Sequence, residues 1–184
     1  MKLIVITGTP GSGKTTIAKE VASKIKDSEL VHANDLIKSK HIFSSYSKDG
    51  AMVVKLGMLA REIDRLRKSS GKRILIIEGH VLCDMKIKGA TAVVIREHLE
   101  TMRNRLEERG YAKKKINDNL VSEAIDYCGA NASMNYKESF ELMNSKDAAS
   151  TIVSIIEGKM MPRKQIDLLH ELVMLMKKEK VGFI

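Results

Sequence analysis

Gly8-Thr9-Pro10-Gly11-Ser12-Gly13-Lys14-Thr15-Thr16 is the stretch on which the reading of this chain turns. It fits G-x-x-x-x-G-K-[ST], the phosphate-binding P-loop pattern. The pattern fixes few positions and can arise by chance, so its flanks carry weight. Before it, Lys2 to Thr7 reads K-L-I-V-I-T, a short apolar, β-branched run of the kind found in a buried strand. After it, Thr15 to Lys26 places Ile17, Val21 and Ile25 at helical spacing. The glycines therefore sit between a strand and a helix, where a phosphate cradle needs them.

Glycine lets the backbone turn tightly and leaves no Cβ between its N–H groups and an anion. A helix opening near Lys14 aims its free N–H groups and positive dipole end at the same point. Gly11, Ser12 and Gly13 would line the cradle, and Lys14 would reach the β- and γ-phosphates. The Thr15 hydroxyl would hold Mg²⁺, and Thr16 would touch the α-phosphate. The alternative is a glycine-rich turn with no ligand; the full motif and its flanks weigh against it.

With 184 residues, 43% hydrophobic and 30% charged, the chain suits a single globular domain with its own core. No apolar run approaches the roughly 18 residues of a membrane helix. Met1 to Thr7 runs straight into the P-loop and reads as a core strand, not a signal peptide. Cys83 and Cys128 fit no metal spacing and read as reduced thiols of an intracellular, cytoplasmic protein, with a disulfide left open. The net charge of +9 has two readings: a solvated lysine-rich surface, or a phosphate-rich partner such as RNA. Aromatic content of 4% speaks against a stacking platform for single strands.

Along the chain, 29–33 reads as a second strand and Asn34-Asp35 opens an amphipathic segment through Lys40. His41 to Gly50 is polar and turn-like, and 51–69 reads as a helix, so 34–57 is expected to be a mostly helical insert. Further strands are expected at 73–78, 91–96 and 139–143. Helices are expected at 97–109, ended by Gly110, then at 119–137 and 146–157, and as an extra amphipathic helix over 163–180. In that last helix Ile166, Leu169, Leu172, Val173 and Met176 would share the inward face. Tyr111 to Asn117 reads as a Lys-rich turn. The pattern calls for an α/β fold: a five-stranded parallel sheet with helices on both faces. Ligands of such sheets bind outside the carboxyl ends of the strands, which gathers the P-loop, Asp35, Glu78 and His80 at one edge.

Glu78 follows four apolar residues at a strand end and is placed like the acid that holds Mg²⁺ beside the P-loop Thr. The competing reading is a solvated strand-end carboxylate. His80 could orient water or contact the γ-phosphate; a lone His is more often structural. Arg105 and Arg109 share a helix face and would clamp phosphates, unless they pair with Glu97, Glu100, Glu107 or Glu108. Lys113, Lys114 and Lys115 form a charge run that is either solvated or closes over phosphates. A P-loop core with one insert after the second strand and another after the Arg-bearing helix is the plan of a nucleoside monophosphate kinase. One cover holds the acceptor, the other closes over the donor, and closure excludes water.

G-T-P-G-S-G-K-T-T, N-D-L-I-K, I-I-E-G-H and R-L-E-E-R-G-Y with K-K-I-N-D-N together resemble the adenylate kinase isoenzyme 6 family. These are atypical adenylate kinases that also act in small ribosomal subunit assembly. The resemblance implies ATP at Gly11, Gly13, Lys14, Thr15 and Thr16, with Arg109 on a lid over 109–119. It implies an acceptor region over 34–57, with Asp35 and Lys38 on the acceptor side and AMP or another nucleoside monophosphate as acceptor. It further implies a small-subunit ribosomal protein or rRNA as partner. The chain departs from the family in having Glu78-Gly79-His80 where Asp-Tyr-His is usual, in its less acidic acceptor insert, and in the segment beyond about residue 160. Three functions follow as expectations: adenylate kinase with side ATPase activity, an ATP-gated assembly factor, or a P-loop kinase for another small acceptor.

Overall fold

The computed structural model describes residues 1–47, 50–159 and 166–179. In chain order the strands are β1 (Lys2–Thr7), β2 (Ser28–His32), β3 (Phe43–Tyr46), β4 (Met52–Val54), β5 (Ile74–Glu78), β6 (Ala90–Arg96) and β7 (Glu138–Met143). The helices are α1 (Lys14–Lys24), α2 (Ala33–Ser39), α3 (Leu56–Ser69), α4 (Leu99–Glu108), α5 (Lys113–Ala124), α6 (Tyr127–Asn135), α7 (Ala148–Ile156) and α8 (Leu169–Glu179), with a 3₁₀ helix at His80–Asp84. Five strands form a parallel sheet in the order β2-β5-β1-β6-β7. The α/β architecture expected from the sequence is thus present.

The continuous apolar runs of β1, β5 and β6 follow from burial on both faces, since successive side chains of a strand point to opposite sides. Leu3, Val5, Leu75, Ile77, Ala92 and Val94 pack under α2, α3 and α6. Ile4, Ile6, Ile74, Ile76, Val93 and Ile95 pack under α1 and α7. Each such side chain contributes about 1.5–3 kcal/mol relative to exposure. A third cluster joins α4, α5 and α8 through Leu99, Met102, Leu106, Ile116, Leu120, Leu168 and Leu175.

The structure corrects several local expectations. The segment expected to be a mostly helical insert holds the short helix α2 and an antiparallel hairpin, β3–β4, with Phe43 opposite Val54 and Tyr46 opposite Met52. Met52, Val53 and Val54 are strand, which suits their β-branched content better than a helix does. The Lys-rich turn is instead the first turn of α5. The long helix expected over 119–137 is two helices, broken where Asp126 adopts φ 56° and its side chain accepts a hydrogen bond from Gly129 N. Leu168, just before α8, and Leu172 and Leu175 within it point inward, whereas Leu169, Val173 and Met176 are exposed. The two apolar stripes are offset by one residue, and packing against α4 and α5 selects the first; residues 163–165 lie outside the described residues.

Candidate active site

The carboxyl ends of β1, β5 and β2 lie level: Ile6 pairs with Glu78, and Glu78 with His32. The P-loop leaves β1 at this edge and enters α1 at Gly13, which caps the helix with no side-chain hydrogen bond. Gly11 (φ 95°) and Gly13 (φ 86°) occupy the left-handed region that glycine alone adopts freely. A Cβ on Gly13 would lie 2.3 Å from Asn144 Nδ2. Such a cradle of bare backbone at a helix N-terminus fits an anion.

Lys14 is buried in it, and Nζ donates a long hydrogen bond of 3.4 Å to the Thr9 carbonyl oxygen. Burial pushes its ammonium below the ordinary lysine range, and the Glu78 carboxylate opposes that shift. A buried cation with so weak a partner has capacity for a phosphate oxygen. Thr15 and Thr16, in the first turn of α1, are exposed.

Glu78 is a buried carboxylate, not a solvated one, and its Oε2 lies 2.9 Å from His32 Nδ1. His32 belongs to no motif, and its place at the end of a strand beside β5 is the one signal that points to it. Gly79 has a steric reason: a Cβ there would lie 2.8 Å from Ala33 Cβ, at the start of α2. His80 opens the 3₁₀ helix at the solvent-exposed edge, and its carbonyl accepts a hydrogen bond from Thr7 Oγ1. The packing on its inner side and the Lys14 ammonium hold its imidazole below the usual histidine range. Asp35 and Lys38 are exposed on α2, three residues apart and hence on one face.

The two arginines differ in surroundings. Arg105 Nη1 donates to the Gly11 carbonyl oxygen at 3.0 Å and to Glu97 Oε2 at 2.7 Å. It holds the P-loop from outside and pairs with one of the glutamates weighed against it in the sequence. Asn144 completes the clasp: its Nδ2 donates to the Ser12 carbonyl at 3.1 Å and to the same Glu97 Oε2 at 2.7 Å. Glu97 and Asn144 had no motif to announce them. Arg109 is exposed at the end of α4, where Gly110 (φ 70°) turns the chain into α5. It shares a cavity of about 660 Å³ with Tyr111, Lys114, Lys115 and Asp118. A further cavity of about 720 Å³ lies at the amino ends of β1 and β5, away from the P-loop, and includes Lys2, Lys24 and Arg73.

Beneath the P-loop, Arg96 is fully buried among Glu123, Asp126 and Glu141. Cys83 and Cys128, far apart in sequence, meet with their Sγ atoms 3.0 Å apart. Among the described residues no group of three or more His, Cys, Asp or Glu side chains could hold a metal ion. A hydroxyl at Thr15 and a carboxylate at Glu78 are nonetheless what Mg²⁺ takes from a protein when phosphates and water complete its shell. No helix of the described residues is long and apolar enough to cross a membrane.

A parallel sheet of this order, a glycine cradle with a buried lysine and a carboxylate at the next strand end define a P-loop protein of the kinase fold. Solved structures agree: shikimate kinase from Acinetobacter baumannii superposes with a TM-score of 0.61 at 16% identity, over 88% of this chain and 96% of that one. Residues 4–126 match the family model described as "AAA domain". A protein named "Putative adenylate kinase" from Pyrococcus abyssi is 34% identical over 156 residues, covering 85% of this chain and 82% of its own length. Another of that name, from Methanosarcina acetivorans, is 29% identical over 168 residues, covering 85% and 87%. The chain belongs to this family of P-loop proteins.

Proposed function

We propose that the protein is a nucleoside monophosphate kinase that transfers the γ-phosphoryl group of ATP to AMP. The observation that carries this reading is the buried Lys14 ammonium at the foot of the glycine cradle, with the charges of Glu78 and Arg109 both close enough to act on it. The relatives' printed name supports adenine nucleotides as substrates. Gly11, Ser12, Gly13, Thr15 and Thr16 bind the donor phosphates. Lys14 and Arg109 stabilise charge on the transferred group, and Arg105 keeps the cradle in shape. Thr15 and Glu78 would hold Mg²⁺, which neutralises phosphate charge. The acceptor phosphate is already ionised and needs little base catalysis, so His80 orients rather than deprotonates. Asp35 and Lys38 face the acceptor side. Closure of α5 and the turn before it excludes water.

The test is ADP formation from ATP with Mg²⁺, with and without AMP. Fast ADP release that requires AMP supports the reading, and Lys14→Ala should abolish it. Undiminished turnover in that variant would sink the assignment. A second reading draws on the net charge of +9 and on the resemblance to the isoenzyme 6 family: an ATPase that acts in small ribosomal subunit maturation. Slow ATP hydrolysis indifferent to AMP, with ATP-dependent capture of small-subunit components, would favour it.

A further inference from the structure

We propose that Glu123 is a positioning residue that latches the P-loop to the base of the lid helix. This rests on the reading of the P-loop as the ATP site. Glu123 stands in the last turn of α5, whose first turn carries Lys113, Lys114 and Lys115. Its carboxylate is buried and fully engaged. Oε2 accepts from Thr9 Oγ1 at 2.5 Å, and Oε1 accepts from Arg96 Nε at 2.9 Å and from the Glu97 backbone N–H at 3.1 Å. Arg96 Nη2 also donates to the Glu123 carbonyl at 2.7 Å. That end of the helix is pinned to the sheet, while Arg109, Lys113 and Lys114 at the other end are exposed.

Thr9 is the link to the chemistry. Its hydroxyl goes to Glu123, and its carbonyl accepts from Lys14 Nζ at 3.4 Å and Ser12 N at 3.1 Å. One residue therefore ties the lid's base to both the cradle and its lysine. Removing the hydroxyl frees the loop to turn its carbonyl away from Lys14. A hydrogen bond to a carboxylate is among the stronger ones in proteins, so its loss should be visible in nucleotide affinity.

The experiment measures ATP affinity by calorimetry, ATP and AMP KM values, and melting temperature for Thr9→Val, Thr9→Ser, Glu123→Gln and the double variant T9V/E123Q. Thr9→Val should weaken ATP binding about tenfold and raise the ATP KM in step, with the AMP KM within about twofold of wild type. Thr9→Ser should restore both, and the double variant should be no worse for ATP than the poorer single variant. A Thr9→Val protein that melts lower yet binds ATP as wild type does would overturn the latch alone. So would strictly additive losses. If Glu123→Gln does not fold, the Thr9→Val and Thr9→Ser pair decides. Wild-type protein that binds no ATP would overturn the reading of the site, and the latch with it.

A separate observation points to Cys83 and Cys128 as the two halves of an intramolecular disulfide. Both thiols are buried, their sulfurs are 3.0 Å apart, and Cys83 Sγ also reaches the His80 carbonyl. The bond would tie the 3₁₀ helix that carries His80 to the first turn of α6. With hydrogen peroxide as oxidant, one thiol is oxidised to the sulfenic acid with release of water. The second then displaces water to form the S–S bond, so two thiols and one peroxide give one disulfide and two waters. The Cys128 thiol beside it, together with burial, holds Cys83 protonated, so the reaction should be fast only while the chain is open. Refolding wild type, Cys83→Ser and Cys128→Ser in dilute peroxide, then recording intact mass, tests this. Wild type should lose two hydrogens, block alkylation and melt about 5–10 °C higher, reversibly with dithiothreitol. Wild type that still carries two alkylatable thiols would overturn it.

Discussion

Replacing Arg96 by Met should destabilise the fold more than any exposed substitution in the chain. The guanidinium is fully buried at the end of β6 and faces Glu123 Oε1 at 2.9 Å, Asp126 Oδ1 at 2.6 Å and Glu141 Oε2 at 3.1 Å. Methionine fills similar space but takes the guanidinium away from all three carboxylates and one of its donors from the Glu123 carbonyl, which keeps the Asp126 N–H. Breaking one buried pair from one side costs about 3–5 kcal/mol, and the hydrogen bonds that Glu123 keeps to Thr9 and the Glu97 N–H hold the total near that range. For a chain of this size each kcal/mol moves the melting temperature by about 2–4 °C, so a fall of roughly 6–20 °C is expected.

The pH dependence gives the argument its sign. In Arg96→Met the Asp126 carboxyl, which burial already raises and the Arg96 charge holds back, is raised further, so the folded state binds more protons than the unfolded one. Stability from such groups is present at low pH and lost as pH rises through the folded pKa. The deficit of the variant should therefore narrow between pH 7 and pH 5. Urea unfolding at both values checks it. A loss under about 1 kcal/mol at pH 7, or a deficit that widens on acidification, would refute the reasoning.

Gly79→Ala should cost about 1–3 kcal/mol in urea unfolding, because the new Cβ meets Ala33 Cβ at 2.8 Å and α2 must shift. Asn144→Ala should raise the ATP KM several-fold, on the order of one lost hydrogen bond, since the Ser12 carbonyl and Glu97 both lose a donor; steady-state kinetics with ATP varied will show it. His80 is held below its ordinary pKa, so the folded state binds fewer protons than the unfolded one just below the usual histidine range. Its contribution to stability is complete above the unfolded pKa and declines as pH falls through the folded value, so His80→Asn should flatten the pH dependence of unfolding in that window.

What could be read from the sequence was local. β1, the P-loop and α1 form one continuous stretch, and each glycine, lysine and apolar residue there does work at its own position. The same holds for β5 and β6, whose apolar runs leave no other place than the middle of a sheet. The hairpin was less legible, because Met52-Val53-Val54 is followed at once by helical spacing and the short apolar run fits either pattern. The inward face at α8 is chosen by packing on α4 and α5 between two apolar stripes one residue apart, and one residue rotates the face by about 100°.

The contacts that shape the site had no local trace. Arg105 and Gly11 are 94 residues apart, Asn144 and Ser12 are 132 apart, and Thr9 and Glu123 are 114 apart. Each pair meets because β1 and β6 lie side by side, with β7 next to β6, so the segments that follow them converge on the P-loop. Knowing the strand order narrows the search: any polar residue within a few positions of the carboxyl end of β6 or β7 becomes a candidate to hold the loop. Arg96, Glu97 and Asn144 all satisfy that condition. The sheet order is therefore more than scaffolding; it selects which side chains can fix the cradle, and a P-loop without such neighbours would keep its motif but lose the geometry that makes Lys14 useful.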